Sequence, residues 1–268
     1  MWRLVRTTSE LYTRLGNSLL CGAPLTGPVR KIVCGVISPL LSNVFLHYVF
    51  DLWINQWRQR HAKGQCIVVR YADDFVIGFE HEEDAKVCLD ALRTRMNEFG
   101  LDLHPDKTRL IEFGRGSAAR REREGRGRCE TFDFLGFTHI CGKERKTKRF
   151  TVKRTSMAKR LSRTLAAIKV GLIRRRHNPL GKTGRWLGSV LRGWLNYHAV
   201  PGNMHRLEQC VEEVTKLWLR QIRRRSQRGR SRWTWKRMTR LVDIYLPSPR
   251  ISHPYPNVRH RARLGRAV

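Results

Sequence analysis

Acidic residues are scarce in much of this 268-residue chain. The first 50 residues contain no aspartate and one glutamate, Glu10. Residues 115–268 carry 40 lysines and arginines against 9 acidic residues, a net charge of +31, whereas residues 1–114 carry 14 against 13. So basic a segment attracts polyanions, and we expect it to bind one.

Long apolar runs are also missing from the sequence. No stretch reaches the roughly 18 uncharged apolar residues that a membrane helix needs. No charged start followed by an apolar core marks a secretory signal. We therefore expect a soluble, cytoplasmic protein without a membrane partner.

Cysteines occur without a disulfide or metal-binding pattern. The seven cysteines are an odd number, and the sequence contains no Cys-x-x-Cys pair and no His cluster at zinc spacing. Cys129 and Cys141 flank a predicted strand, but the sequence offers them no partner ligands for a metal. Reduced thiols are the simplest interpretation.

Basic residues are concentrated in runs that alternate with tryptophan and tyrosine. Cations that contact phosphates, combined with aromatic side chains that stack on bases, are typical of nucleic-acid binding, which we favour over a membrane-surface patch. The predicted contacts are Arg174, Arg175, Arg176, Arg185, Arg192, Arg223, Arg224, Arg225 and Lys236. Trp186, Trp194 and Tyr197 recur at near-helical spacing, which favours a place in a helical core over base stacking.

Apolar periodicity predicts a mixed part followed by a helical part. A helix begins at Ser38 and Pro39, which suit a helix N-terminus, and runs to about Trp57. The other predicted helices are Glu82–Phe99, Met157–Ile173, Arg185–His198 and Met204–Arg225. The predicted strands lie at Cys66–Arg70, Phe75–Phe79, Leu101–Leu103, within Lys107–Phe113 and, as a pair, within Thr131–Ile140. A proline-rich, extended tail follows from Leu246.

Two adjacent carboxylates lie at the tip of a predicted β-hairpin. Tyr71-Ala72-Asp73-Asp74 joins two strands that are rich in β-branched and aromatic residues. Carboxylate oxygens at such a tip can bind a hard cation such as Mg²⁺. Aspartates are also ordinary turn residues, so the dipeptide alone does not decide between a metal site and a plain turn.

Several motifs in order resemble those of the group II intron reverse transcriptase/maturases. The segment from Gly35 through Ser38 and Pro39 to Asn43 resembles their template-positioning segment, and residues 71–74 resemble their catalytic hairpin. Phe134-Leu135-Gly136-Phe137 resembles the primer-grip turn, and residues 104–108 also match. The motifs at residues 191–198 and 253–257 resemble the thumb/maturase helices and the DNA-binding end.

The resemblance implies an α+β fold with defined regions. Residues 35–150 would form a partial reverse-transcriptase palm, a β-hairpin sheet with two packed helices, and residues 151–225 an α-helical thumb/maturase domain. Residues 226–268 would form a basic, extended DNA-binding tail. Residues 1–34 stay unassigned and are expected to be poorly ordered.

The resemblance also implies roles for individual residues. Asp73 would bind Mg²⁺ with support from Asp74, and Tyr71 and Ala72 would shape the turn. Residues 134–137 would hold the primer strand. Lys107 would approach the triphosphate, although an exposed loop lysine explains it equally well. The implied partners are intron RNA, target DNA and deoxynucleoside triphosphates.

The chain departs from the family pattern at its N-terminal side. Family members carry another metal-binding aspartate on an earlier palm strand, after a long fingers region, but this chain has no aspartate before Asp51, which lies inside a predicted helix. We therefore expect a palm sheet without its first strand, a hairpin beside an unpaired edge, and weak or absent polymerisation unless a separate upstream fragment supplies the fingers. The alternatives are an RNA-binding remnant without metal chemistry and a decaying gene product.

Overall fold

The structure is a computed structural model that describes residues 3–8, 38–144, 147–227 and 229–254. Gly35, which was predicted to position the template, lies outside the described residues, as do residues 9–34 and 255–268. The chain divides into two compact units. Unit 1 comprises residues 1–132 and 140–152, and unit 2 comprises residues 133–139 and 153–268.

A four-stranded antiparallel sheet forms the centre of unit 1. Its strands are β1 (Arg3–Thr8), β2 (Cys66–Tyr71), β3 (Asp74–Phe79) and β4 (Arg109–Glu112), in the order β2-β3-β1-β4. The helices of this unit are α1 (Ser38–Leu46), a π-helical turn (His47–Asp51), α2 (Leu52–Arg60), α3 (Glu82–Glu98) and α4 (Arg115–Arg123). Phe50, Ile77, Phe79 and Leu92 are fully buried in the core between helices and sheet. Apolar periodicity therefore predicted α1 to α3 and the hairpin correctly.

The prediction of an unpaired edge beside the hairpin is wrong. β1 lies between β3 and β4 and pairs antiparallel with both, so Arg3–Thr8 occupies a central position in the sheet. These six residues therefore form a strand, and the expectation of a poorly ordered N-terminal segment does not hold for them. Its partners lie about 70 and 105 residues further along the chain, so the local pattern could not identify it.

One further prediction in unit 1 is wrong, because Leu101–Leu103 is not a strand. The basic run after Gly114 begins with α4. The buried carboxylate of Glu112 pairs with Arg120 and Arg121 of α4. This ion-pair network ties α4 to the end of β4, a tertiary interaction that composition alone does not predict.

A second sheet contains β5 (Phe132–Phe134), β6 (Phe137–Lys143) and β7 (Phe150–Ser156), in that order. The predicted strand pair is confirmed by β5 and β6, and β7 was not predicted. The helices of unit 2 are α5 (Ala158–Arg174), α6 (Leu180–His198), α7 (Met204–Arg223), α8 (Gly229–Arg232) and α9 (Trp235–Tyr245). The predicted extended tail is therefore wrong for α9, whose Met238 is fully buried.

Glycines of α6 allow α9 to approach closely. A Cβ added at Gly188 would collide with the backbone carbonyl oxygen of Tyr245, and one at Gly184 would collide with the Tyr245 ring. Leu187, Leu191, Trp218 and Met238 form the buried core around this contact. Only a residue without a side chain permits this helix spacing.

Within the part of the chain that the structure describes, no helix is both long and apolar enough to cross a membrane.

Candidate functional site

The Asp-Asp motif lies at a tight two-residue turn between β2 and β3. Tyr71 and Asp74 are partners in the strand register, so Ala72 and Asp73 form the loop. Ala72 has a φ of 54°, a left-handed conformation that is costly for a residue with a Cβ. Asp73 and Asp74 are half-buried, and the Tyr71 side chain is 65% exposed.

Arg70 holds this turn to the preceding helix. Its NH1 group donates to the carbonyl oxygen of Ala72 at 2.8 Å and to the side-chain oxygen of Asn43 at 3.0 Å. Its Nε and NH2 groups donate to the two carboxylate oxygens of Asp51, each at 2.7 Å. This bidentate, charge-assisted pair offsets the loss of hydration of both groups and orients the remaining N–H groups toward the turn.

Asp51 is the last residue of the π-helical turn, and Asn43 lies two turns earlier on α1. A π-helical turn shifts the helix face locally, which directs Asp51 toward Arg70. Because its carboxylate is paired with Arg70, Asp51 is not a ligand at the hairpin tip.

The Asp73 carboxyl has a raised pKa. Burial raises its pKa above the ordinary range, and the neighbouring Asp74 carboxylate raises it further. A backbone hydrogen bond and the positive charge of Lys107 act in the opposite direction. Lys107 lies in a turn in which its backbone N–H donates to the His104 carbonyl oxygen at 3.2 Å.

The strand beside the hairpin supplies a threonine at the level of the Asp pair. In the register of β1 and β3, Thr8 lies opposite Asp74 and Thr7 opposite Phe75.

Across the described ranges, no group of three or more His, Cys, Asp or Glu residues is placed to hold a metal ion. A Mg²⁺ ion commonly keeps several waters and takes one or two protein carboxylates, so two neighbouring carboxylates match that set of ligands by their chemistry.

The segment that resembles a primer grip forms the turn between β5 and β6. Leu135 and Gly136 have φ values of 49° and 81°, and both flanking phenylalanines are buried. The Tyr197 hydroxyl donates to the Leu135 carbonyl oxygen at 2.7 Å, and the Met157 N–H donates to that of Gly136 at 3.1 Å. Residues of unit 2 therefore fix both carbonyls of the turn.

The comparisons with known proteins find a family match for part of the chain. Residues 34–139 match the family described as reverse transcriptase (RNA-dependent DNA polymerase). This segment contains the hairpin and Lys107. No curated protein matches significantly.

Among solved structures, telomerase from Candida albicans in complex with a TWJ fragment of telomeric RNA aligns with 12% identity and a TM-score of 0.30. The alignment covers 87% of this chain and 35% of that chain. This chain thus spans about a third of the length of that structure.

The nine predicted nucleic-acid contacts fall into two groups. Arg174, Arg185, Arg192, Arg224 and Lys236 are exposed. The other four use their guanidinium groups within unit 2: Arg175 stacks on Trp186, Arg176 donates to Gln221, Arg223 to the Trp233 carbonyl, and Arg225 to the Asn178 carbonyl. Burial lowers the pKa of Arg225. These four stabilise the helical unit, which charge density along the sequence could not indicate.

The aromatic residues of α6 also divide. Trp186 and Trp194 pack against the helical core, as predicted. Tyr197 is 53% exposed and stacks on Phe137 with ring centroids 5.6 Å apart. The prediction of a core position for Tyr197 is therefore wrong, because its hydroxyl reaches outward to the Leu135 carbonyl.

Sequence reasoning missed the contacts of Arg70, Asn43 and Asp51. One signal was available: Arg70 is a charged residue inside an otherwise apolar strand, Cys66–Tyr71, and such a residue needs a partner when half-buried. The identity of that partner depends on the π-helical turn, which no sequence pattern predicts.

Proposed function

We propose that this chain is a group II intron-type reverse transcriptase/maturase relative that binds RNA and polymerises weakly or not at all by itself. The match of residues 34–139 to the reverse transcriptase family supports the class. The register of β1 is the observation that supports weak polymerisation, because it places Thr8, and no carboxylate, opposite Asp74. The expected RNA partner is an intron RNA, gripped through the exposed cations of unit 2.

Within this proposal, the hairpin retains a reduced metal site. Asp73 and Asp74 would hold one Mg²⁺, which would supply charge neutralisation for a bound phosphate. Lys107 would contact the triphosphate of a deoxynucleoside triphosphate. Gly35, Ser38 and Pro39 would position the template, and residues 134–137 the primer. The maturase role and the target-DNA contacts of the C-terminal end rest on the resemblance of their motifs.

Primer extension on an RNA template with Mg²⁺ and four deoxynucleotides tests the polymerase part. We expect at most trace synthesis, equal in the wild type and in the Asp73→Ala, Asp74→Ala double variant. Robust extension that the double variant loses would contradict the proposal, because the site would then be complete.

A gain of function tests the register of β1 directly. Thr8→Asp adds a carboxylate opposite Asp74, and we expect it to tighten Mg²⁺ binding and to raise any extension activity. Thr7→Asp is the matched control, since alternate strand residues point to opposite faces of a sheet. Equal metal affinity in both variants would show that β1 does not border the metal site.

Binding to an intron RNA tests the other part. We expect affinity that falls steeply with salt, since many phosphate contacts release many counterions. A nearly flat dependence between low and physiological salt would count against RNA as the partner.

The hairpin itself favours a second candidate, a polymerase completed by a separate upstream polypeptide. The Asp pair and the hydrogen bond from Arg70 that supports its turn are present. A separate polypeptide would therefore have to supply the fingers and their aspartate. Extension that appears when a fingers fragment with its aspartate is mixed with the chain, and disappears in the Asp73→Ala, Asp74→Ala variant, would favour this candidate. No extension with the fragment would count against it.

A further inference from the structure

A basic cleft lies along the C-terminal end of α7. Its volume is about 650 Å³, and it is lined by Lys216, Leu219, Arg220, Arg223, Arg224 and Gln227. We propose that this cleft binds neighbouring phosphates of a nucleic-acid backbone and is the main anchor for RNA. The inference rests on the proposed RNA-binding function and assigns it to one helix end.

The cleft has a rigid wall. Trp218, Leu219 and Ile222 are buried in the core of unit 2, which fixes the rotation of α7 about its axis. The Nε group of Arg223 donates to the Trp233 carbonyl oxygen at 2.9 Å. Arg225 donates to Asn178 outside the cleft, so neighbouring arginines at this helix end serve different purposes. A fixed wall lowers the entropy that binding costs.

The charges of the cleft suit phosphates. Four of the six lining residues are cationic and none is acidic. Lys216 pairs with Glu212 and Glu213 at 2.8 and 2.9 Å, which offsets its charge, so the phosphate contacts fall to the arginines. Arg220 and Arg224 are exposed and lie one helical turn apart, about 6 Å along the axis. Guanidinium groups bind phosphate oxygens in a bidentate manner, so this pair can contact two phosphates of one strand.

The lining favours nucleic acid over an acidic protein segment. Leu219 is the one apolar residue among the six, and it is 6% exposed. Protein partners usually bind through buried aromatic or aliphatic anchors, for which this cleft has no receptor surface. The cations also interact favourably with the negative, C-terminal end of the α7 dipole. That interaction stabilises the helix and by itself predicts no affinity for RNA.

The decisive variant is Arg220→Gln, Arg224→Gln in the full chain. Its matched control is Arg163→Gln, Arg240→Gln, which removes two exposed arginines of unit 2 that do not line the cleft. Fluorescence anisotropy with a structured RNA, and with a DNA duplex of equal length, would be measured across a salt series. Thermal melts would show that both variants remain folded.

We expect the cleft variant to lose about tenfold in RNA affinity and to reduce the salt slope by between one and two units, since each lost phosphate contact removes roughly one unit. The control should change the slope by much less. Arg220→Lys, Arg224→Lys should keep the slope and lose part of the affinity, because lysine lacks the fork. An equal loss of affinity for RNA and for duplex DNA would support a cleft that contacts phosphates and does not distinguish the two nucleic acids.

Other outcomes overturn the inference. Equal losses in the cleft variant and the control would mean that a diffuse positive field binds RNA, and the proposed function would stand without the cleft. Stronger competition by polyglutamate than by unlabelled RNA would identify an acidic protein segment as the partner. If the wild type bound neither RNA nor DNA, both the proposed role of the cleft and the proposed RNA-binding function would be contradicted.

Discussion

The two units place their charged residues in different ways. In unit 1, the half-buried charges of Arg70 and Asp51 pair with each other and hold the hairpin. In unit 2, long helices bury apolar faces, and many arginines remain on the surface. Charge in the first unit therefore positions a site, whereas charge in the second forms a surface that can bind a polyanion.

This difference reflects what each architecture requires. A sheet whose strands come from distant parts of the chain needs long-range contacts to set the hairpin tip, and Arg70 supplies them. A bundle of amphipathic helices needs only apolar faces and close approach, which leaves the outer faces free to carry charge. The following four predictions test this contrast, from the largest effect to the smallest.

The largest effect is expected from Gly188→Ala in unit 2. The added methyl group would meet the Tyr245 carbonyl oxygen and force α6 and α9 apart, at a cost of about 3 kcal/mol in the free energy of unfolding. Gly193→Ala, on the same helix with no atom within 4 Å, should stabilise by up to about 1 kcal/mol. Chemical denaturation of both variants checks this. If both substitutions changed the free energy of unfolding in the same direction, the close approach of α6 and α9 would be disproved.

In unit 1, Arg70→Gln removes the support of the turn. It leaves the Asp51 carboxylate without its bidentate partner, which should cost about 2 kcal/mol because Asp51 keeps some solvent access. Faster hydrogen exchange at residues 71–75 should accompany the loss. Arg70→Lys should restore little, since lysine cannot bridge both partners. Combining Arg70→Gln with Asp51→Asn should recover part of the stability. Full additivity of the two changes would show that the pair is not coupled.

A smaller, pH-dependent effect is expected at His198 of unit 2. Burial lowers the pKa of this imidazole, the Trp194 carbonyl raises it, and Arg160 lowers it. The unfolded chain therefore binds a proton more readily than the folded chain. The contribution of His198 to stability is present above about pH 6.5 and is lost as the pH falls toward the folded pKa.

The melting temperature of the wild type should accordingly decrease as the pH is lowered from neutral to mildly acidic. His198→Phe should show a flatter dependence in that range. His205→Gln, which changes an exposed histidine of α7, should behave like the wild type. An unchanged pH profile in His198→Phe would remove His198 as the cause.

The smallest effect is expected from Ala72→Gly at the hairpin tip. Glycine adopts the left-handed φ of this position without strain, so unfolding should cost about 0.5–1 kcal/mol more. The same substitution at Ala91, inside α3, should destabilise by about 1 kcal/mol. Destabilisation by Ala72→Gly would mean that the turn does not hold Ala72 in this conformation.

Short-range signals account for the elements that were predicted correctly. The apolar periodicity of Glu82–Phe99 and of Met204–Arg225 and the β-branched strands around residues 71–74 are local properties, and the structure reproduces them. Where prediction failed, distant partners decide the outcome. β1 requires β3 and β4, α4 pairs with Glu112, and α9 docks against the glycines of α6.

The amino-acid sequence by itself determined the helices α1 to α3 and α5 to α7, the hairpin with its Asp pair, and the uneven distribution of charge, because each depends on neighbouring residues. Only the tertiary structure decided that Arg3–Thr8 lies beside the hairpin, that Arg70 holds the turn, and which arginines remain on the surface. Those outcomes depend on pairing between residues far apart along the chain. Such pairing is settled by the burial and hydrogen bonding of the whole fold rather than by local preference.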